Sequence, residues 1–302
     1  RDAIRSRGLG DVYKRQDVEY FNHKSINDAG STLDEKIIVD ATKFFETGQK
    51  TELHYSVKNT DRTIGAKLSS VMYHKFKDTN INDDQLTLNL EGSAGQSLGA
   101  FAVKGLSIKV EGDANDYVGK SLSGAKIIIR PHKNSRLNTN ENTIIGNTCM
   151  YGSTSGSLFA SGQAGERFAV RNSGATAVVE GCGSNGCEYM TGGNIIILGP
   201  TGDNFGAGMT GGMAFVYDND EKFKHRVNEE TLIFDKIHSK HWENVLKEFI
   251  DKHYNETGSK HAKRILDDWD TEKLKFIQIC PKEIIHTLEH PLREDLKKRK
   301  IQ

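Results

Sequence analysis

Only four prolines and four cysteines occur in this 302-residue chain. Four cysteines cannot supply a disulfide scaffold at this size, so free thiols in a reducing cytoplasm are expected. Net charge is also missing: 41 Lys and Arg balance 41 Asp and Glu. No overall field favours nucleic acid or an acidic membrane surface, and neither is expected as a partner. Apolar runs such as 127–129 and 195–198 are far too short to span a bilayer. The charged beginning shows no apolar h-region of a secretory signal.

Glycine is plentiful and unevenly placed. Of 30 glycines, 24 lie between Gly92 and Gly212. Four segments there share a pattern: Ser155-Gly156-Ser157-Leu158, Ser173-Gly174-Ala175-Thr176, Thr191-Gly192-Gly193-Asn194 and Thr210-Gly211-Gly212-Met213. Their hydroxyl residues are 18, 18 and 19 apart. That period is too short for a strand–helix–strand unit and matches one coil of a β-solenoid. The expected fold is therefore mainly β: a right-handed parallel β-helix flanked by N- and C-terminal helices.

Alignment on Ser123, Ser155, Ser173, Thr191 and Thr210 predicts the facing of each column. Ile127, Phe159, Ala177, Ile195 and Ala214 should point inward, as should Ile129, Ser161, Val179, Ile197 and Val216. The seventh position, Arg130, Gly162, Glu180, Leu198 and Tyr217, should face out. Between the inward columns lie Ile128, Ala160, Val178, Ile196 and Phe215, outward by alternation yet wholly apolar. Such a stripe needs cover from the terminal helices or from another domain. Glycines are expected at the corners, where positive φ is required.

The flanks read differently. Residues 33–46 predict a helix ended by Gly48, 52–57 a strand, and 66–77 a helix. After about residue 221, Trp242, Val245, Leu246, Phe249 and Ile250 sit at helical spacing. So do Ala262, Ile265, Leu266 and Trp269, with Gly258 between the two helices. The expected organisation is 1–16 a non-native or disordered flank, 17–80 a helix/strand lead-in, 81–220 the glycine-rich body and 221–302 a helical extension.

Candidate chemistry is sparse. Gly181 to Gly186 and Gly206 to Gly211 match G-x-G-x-x-G, but strand-like residues follow where a phosphate site needs a helix. Cys149, Cys182, Cys187 and His132 lack the spacing of a metal site and are read as buried thiols and a polar side chain. Glu166, Arg167, Arg171, Glu180 and Glu188 suggest either acid/base chemistry in a groove or structural salt bridges, and the latter is the expectation. The histidines at 225, 238, 241, 253 and 261 are expected on the surface.

Several segments resemble the C-terminal glycine-rich (GXGXG) domain of the glutamate synthase large subunit. They include Gly92-Ser93-Ala94-Gly95-Gln96-Ser97-Leu98-Gly99, Glu111-Gly112-Asp113-Ala114-Asn115-Asp116-Tyr117-Val118-Gly119-Lys120 and Gly162-Gln163-Ala164-Gly165-Glu166-Arg167-Phe168-Ala169. The resemblance extends over roughly 30–285. It implies a right-handed β-helix, within an enzyme that makes glutamate from glutamine and 2-oxoglutarate. In that family FMN, a 3Fe-4S cluster and the catalytic cysteine belong to other domains. The resemblance therefore transfers no catalytic, cofactor-binding or metal-binding residue to this chain. It implies the synthase barrel and amidotransferase as intramolecular partners, with ferredoxin or a small electron-donating subunit beyond them. A scaffold in another oxidoreductase, such as formylmethanofuran dehydrogenase, and a carbohydrate-active β-helix are the alternatives.

Overall fold

The repeated apolar runs become strands, and each strand pairs with the same run of the next repeat. The computed structural model describes residues 30–77 and 81–293. The expected flank 1–16 lies outside the described residues. The chain divides into a unit Arg1–Ser31 and a unit Thr32–Gln302.

The second unit carries the strands β1 (Thr51–Val57), β2 (Leu86–Ala94), β3 (Leu106–Ala114), β4 (Ser123–Arg130), β5 (Thr143–Ile145) and β6 (Ser155–Ala160). They continue with β7 (Gln163–Ala164), β8 (Ser173–Val179), β9 (Thr191–Ile197), β10 (Gly211–Tyr217), β11 (Leu232–Lys236) and β12 (Phe276–Pro281). One twelve-stranded sheet results, in the order β1-β2-β3-β4-β6-β8-β9-β10-β12-β11, with β5 and β7 off this path. Neighbours are parallel from β1 to β10. Only β12 runs antiparallel to its neighbours β10 and β11.

This corrects the expected right-handed β-helix. The strands form a single, mostly parallel sheet flanked by helices, and no solenoid closes. The glycine-rich connections take left-handed turns, so each repeat adds one strand to the same sheet. Off the main path, the β5–β7 ladder, the β3–β5 pair and isolated bridges such as Ala164 to Cys182 are the strand-like pairings among the described residues.

The turns have their own regularity. Positive φ recurs at alternate residues in six triples: Ser97/Gly99/Phe101, Tyr117/Gly119/Ser121, Thr148/Met150/Gly152, Arg167/Ala169/Arg171, Asn185/Cys187/Tyr189 and Asn204/Gly206/Gly208. Most of these residues are not glycine, and each carries left-handed strain of about 1–2 kcal/mol. The strain is offset by backbone bonds between repeats, each contributing about 0.5–1.5 kcal/mol. The outer members donate to the following repeat, as in Arg167 N–H to Ser184 C=O (2.8 Å) and Arg171 N–H to Glu188 C=O (2.9 Å). The middle member donates back, as in Ala169 N–H to Cys149 C=O (2.9 Å). Residues between and at the middle, such as Leu98, Val118, Cys149, Phe168, Ala169 and Cys187, are buried. The main core thus lies between one sheet face and this ladder of turns.

Strand register sets the columns. Ile108, Ile127, Leu158, Ala177, Ile195 and Ala214 are in line and buried in the main core. So are Val110, Ile129, Ala160, Val179, Ile197 and Val216. The repeat at Ser155 is one residue short, because the β4–β6 register shifts between Ser123 and Lys126. Phe159 therefore leaves the expected inward column and joins Ile128, Val178, Ile196 and Phe215 on the other face. Ala160 takes the inward place predicted for Ser161.

At the N-terminal end, the predicted helix over 33–46 is two helices, α1 (Leu33–Asp40) and α2 (Thr42–Thr47). Gly48 ends the second with φ 68°. Asp34 does more than favour its own first turn. Its buried carboxylate accepts from the amides of Gly65 (2.7 Å) and Leu68 (3.0 Å), at the start of α3 (Ala66–Phe76).

Close stacking and left-handed strain make separable predictions. At Gly112, φ is 152° and an added Cβ would lie 2.0 Å from the Gly92 carbonyl oxygen. Gly112→Ala should destabilise by about 2 kcal/mol or more in urea unfolding. Arg167 is exposed with φ 60°. Arg167→Gly relieves strain but frees the unfolded chain, so it should stay within about 1 kcal/mol of the parent. Equal losses from both would contradict this reading of the turns.

Candidate functional site

The second sheet face is covered by the C-terminal helices, α4 (Lys240–Thr257), α5 (Lys260–Asp267) and α6 (Trp269–Glu272). Leu246 and Ile250 of α4 and Ala262 and Ile265 of α5 are fully buried, and with Ile128, Phe159, Val178, Ile196 and Phe215 they form a second core. The apolar stripe is therefore covered within the chain. Along the same face, the uncovered strands carry Asn89 and Lys109 in register with Ile128. The face turns apolar where the helix lies. Lys126 Nζ ties the two layers, 2.8 Å from Asp84 and 2.7 Å from Glu256.

The tight link between α4 and α5 builds the most distinctive polar group in the molecule. Gly258 ends α4 at φ 70°, and its amide bonds Tyr254 C=O at 2.7 Å. Ser259 then caps α5, its Oγ accepting from Ala262 N–H at 2.9 Å. The same hydroxyl donates to Oε1 of Glu180, which follows β8 and is fully buried. Ser161 Oγ donates to that oxygen at 3.2 Å, and Nε2 of the fully buried His253 lies 3.4 Å away. Burial opposes the charge on Glu180, but His253, Ser259 and their companions outweigh it and hold the carboxyl below its ordinary value. The group joins α4 and α5 to the end of β8, and Glu180 Oε2 and His253 Nδ1 are buried without a hydrogen-bond partner among the described residues.

The other candidate residues are not brought together with it. Glu166, Arg167, Arg171 and Glu188 sit on the turn ladder, where Glu166 and Glu188 give backbone carbonyls to neighbouring layers. Arg171 rests over the exposed ring of Tyr189 at 5.9 Å. His225 and His238 are exposed, as expected. His253 and His261 are not: His253 is enclosed, and His261 is part-buried with Nε2 against Leu198 C=O. His241 stacks on His290 with ring centroids 3.6 Å apart. His132 lies near Glu91 at 3.8 Å. The one signal for the buried group was Glu180 itself, a carboxylate closing the apolar run Ala177-Val178-Val179.

Cys149, Cys182, Cys187 and Cys280 are all free and buried. Burial pushes the Cys149, Cys182 and Cys280 thiols up to about 12, and Cys187 well above its ordinary value. Among the described residues no group of three or more His, Cys, Asp or Glu is placed to hold a metal ion. The thiols do not fit an iron–sulfur cluster. Both glycine fingerprints run into strands, β9 and β10, so neither offers the helix N-terminus that an FMN phosphate would use. No step of chemistry through either group follows from these residues.

From β2 to β10, parallel strands stacked without crossover α-helices and joined by glycine-rich left-handed turns define the class: a repeat-built domain with a filled interior. The GXGXG motif family matches residues 34–282, and the chain belongs to that family. It is 54% identical over 284 residues to the glutamate synthase [NADPH] large chain of Azospirillum brasilense, covering 94% of this chain and 19% of that one. It is 44% identical over 270 residues to glutamate synthase [NADH] of Schizosaccharomyces pombe, covering 89% and 13%. Against ferredoxin-dependent glutamate synthase 2 of Synechocystis it is 43% identical over 272 residues, covering 88% and 17%. The chain spans less than a fifth of the length of these relatives. Among the described residues no helix is long and apolar enough to cross a membrane.

Glu180 makes stability depend on acid pH. Its folded pKa lies below the unfolded value of 4.5, so its contribution is complete above that value. The contribution fades as pH falls through the folded value. Glu180→Ala, leaving His253 buried and unpaired, should cost about 3 kcal/mol at neutral pH by urea unfolding. Glu180→Gln should flatten the loss of stability on acidification below 4.5. An unchanged acid profile in Glu180→Gln would sink this assignment.

Proposed function

We propose that this chain is a non-catalytic scaffold segment of a glutamate synthase large chain. The parent reaction combines glutamine, 2-oxoglutarate and reductant into two glutamates, in the cytoplasm. Residues 17–80 form the lead-in, 81–220 the glycine-rich body and 221–302 the helical extension, with 1–16 foreign to the segment. FMN and the 3Fe-4S cluster belong to other domains of the large chain. The segment holds the amidotransferase and synthase domains in a fixed relation, so that ammonia passes between them. A small electron-donating subunit or ferredoxin is the external partner.

The observation that carries this reading is the filled double core. The turn ladder covers one sheet face and the C-terminal helices cover the other from Ile128 to Phe215, with Glu180 and His253 between the layers. High identity to glutamate synthases of three donor types supports the parentage. A body rigid in this way sets distances between neighbours and has no need to move.

The test uses the full-length large chain and this segment separately. The segment alone, incubated with FMN and reductant, should retain no flavin and form no glutamate. Loosening the scaffold in the full-length chain with Phe215→Ala, which removes a fully buried ring at a cost of about 3–5 kcal/mol, should lower glutamate formation more than glutamine hydrolysis. Flavin retention or glutamate formation by the segment alone would overturn the proposal.

A further inference from the structure

The long repeat carries a feature that the scaffold reading leaves unused. Ser123 and Ser155 are 32 residues apart, against 18 for Ser155 and Ser173. The extra length is the loop over 131–142, which leaves β4 and arches toward the start of α5. Loop and helix enclose an open cleft of about 580 Å³. Its walls carry Arg130, Lys133 and Arg136 from the strand end and loop, and Lys260 and Arg264 from α5. No Asp or Glu lines it.

That segregation is unusual in a chain with no net charge. Three other clefts mix signs: Asp218 and Asp220 oppose Arg226 in one, Asp83 and Glu256 oppose Lys126 in another, and Glu91 and Glu111 oppose Lys109 in a third. Of the five cations, Arg264 is engaged with Glu272 at 3.2 Å, and Arg130 lies 3.5 Å from Glu111. Lys133, Arg136 and Lys260 have no carboxylate within ion-pair distance among the described residues. Lys133, Arg136 and Lys260 thus face one solvent space uncompensated, beside two paired arginines, and a bound anion relieves their mutual repulsion.

The helix start adds donors. Ser259 takes the amides of Ala262 and Lys263 through its hydroxyl and carbonyl. The amides of Lys260 and His261, both in the cleft wall, stay free of that cap. Three carboxylates stand close behind the walls: Glu111 beside Arg130 and the Lys133 amide, Glu272 beside Arg264, and the buried Glu180 beneath Ser161 and Ser259. The charge of Glu180 is already met by Ser161, Ser259 and His253, so it opposes an anion weakly.

The geometry points to a binding site for a small polyvalent anion, a polyphosphate or polycarboxylate, held between the 131–142 loop and the N-terminus of α5. The site stands on the cleft alone and is independent of the scaffold reading. Several cations converge from two elements on one open space, which selects for total charge more than for shape.

Isothermal titration of the chain with pyrophosphate and with citrate, each against sodium chloride at equal ionic strength, tests it. Saturable one-to-one binding of either anion, weakened at least tenfold in the Lys133→Glu/Arg136→Glu variant, is the expected result. Both substitutions lie on exposed loop positions, and an unchanged circular dichroism spectrum confirms the fold. Lys75→Glu, exposed on α3 and outside the cleft lining, should bind like the parent. Pyrophosphate alone binding identifies a phosphate site, and citrate alone a carboxylate site. No saturable binding beyond chloride, or equal binding by the double variant, overturns the proposal.

Discussion

Stacked left-handed turns are the constraint on which this architecture depends. The amides at the positive-φ positions of such a turn bond to other repeats and not to their own, and a buried amide must be bonded. The five triples from Ser97 to Tyr189 solve this by donating alternately forward and back to neighbouring repeats, and Gly206 of the last triple donates back. A repeat can be lengthened between its turn and strand, as the 131–142 loop shows, but its turn must still arrive in register. The middle member of each triple faces the core, which favours Gly, Ala, Met or Cys there and explains why Cys187 is buried.

With the turns in register, the strands follow. Parallel strands covered on both faces read as continuous apolar runs, as in Ile127-Ile128-Ile129 and Ile195-Ile196-Ile197. The main core takes the first and third residues, and α4 and α5 take the second. Glu180 and His253 join the two layers where α4 turns into α5. One chain thus forms a layered body whose polar interior groups serve attachment. The chain belongs to the GXGXG family and spans less than a fifth of the length of the three glutamate synthase relatives.

Strands and helices were legible because their periods are clean, from Leu86 to Tyr217 and again from Trp242 to Trp269. The family was legible in the glycine-rich segments. Closure into a solenoid was not: an 18-residue period fixes the repeat but not the conformation of the connections. Positive φ at Tyr117, Thr148, Arg167 and Tyr189 left no trace either, since the bonds that offset its strain reach across repeats. The one-residue shortening at Ser155 misplaced Phe159 because a register shift is set by the neighbouring strand. His253 looked like a surface residue, as its partner Glu180 lies 73 residues away.

Native-state hydrogen exchange reads the turn ladder amide by amide. If the ladder is the backbone of the fold, the amides of Met150, Ala169 and Cys187, which donate to the preceding repeat, should exchange only with global unfolding. They should match the protection of Ile195 and Ile196 in β9. Exchange of the turn amides at rates typical of surface loops, with the strands still protected, would contradict a fold that depends on its turns.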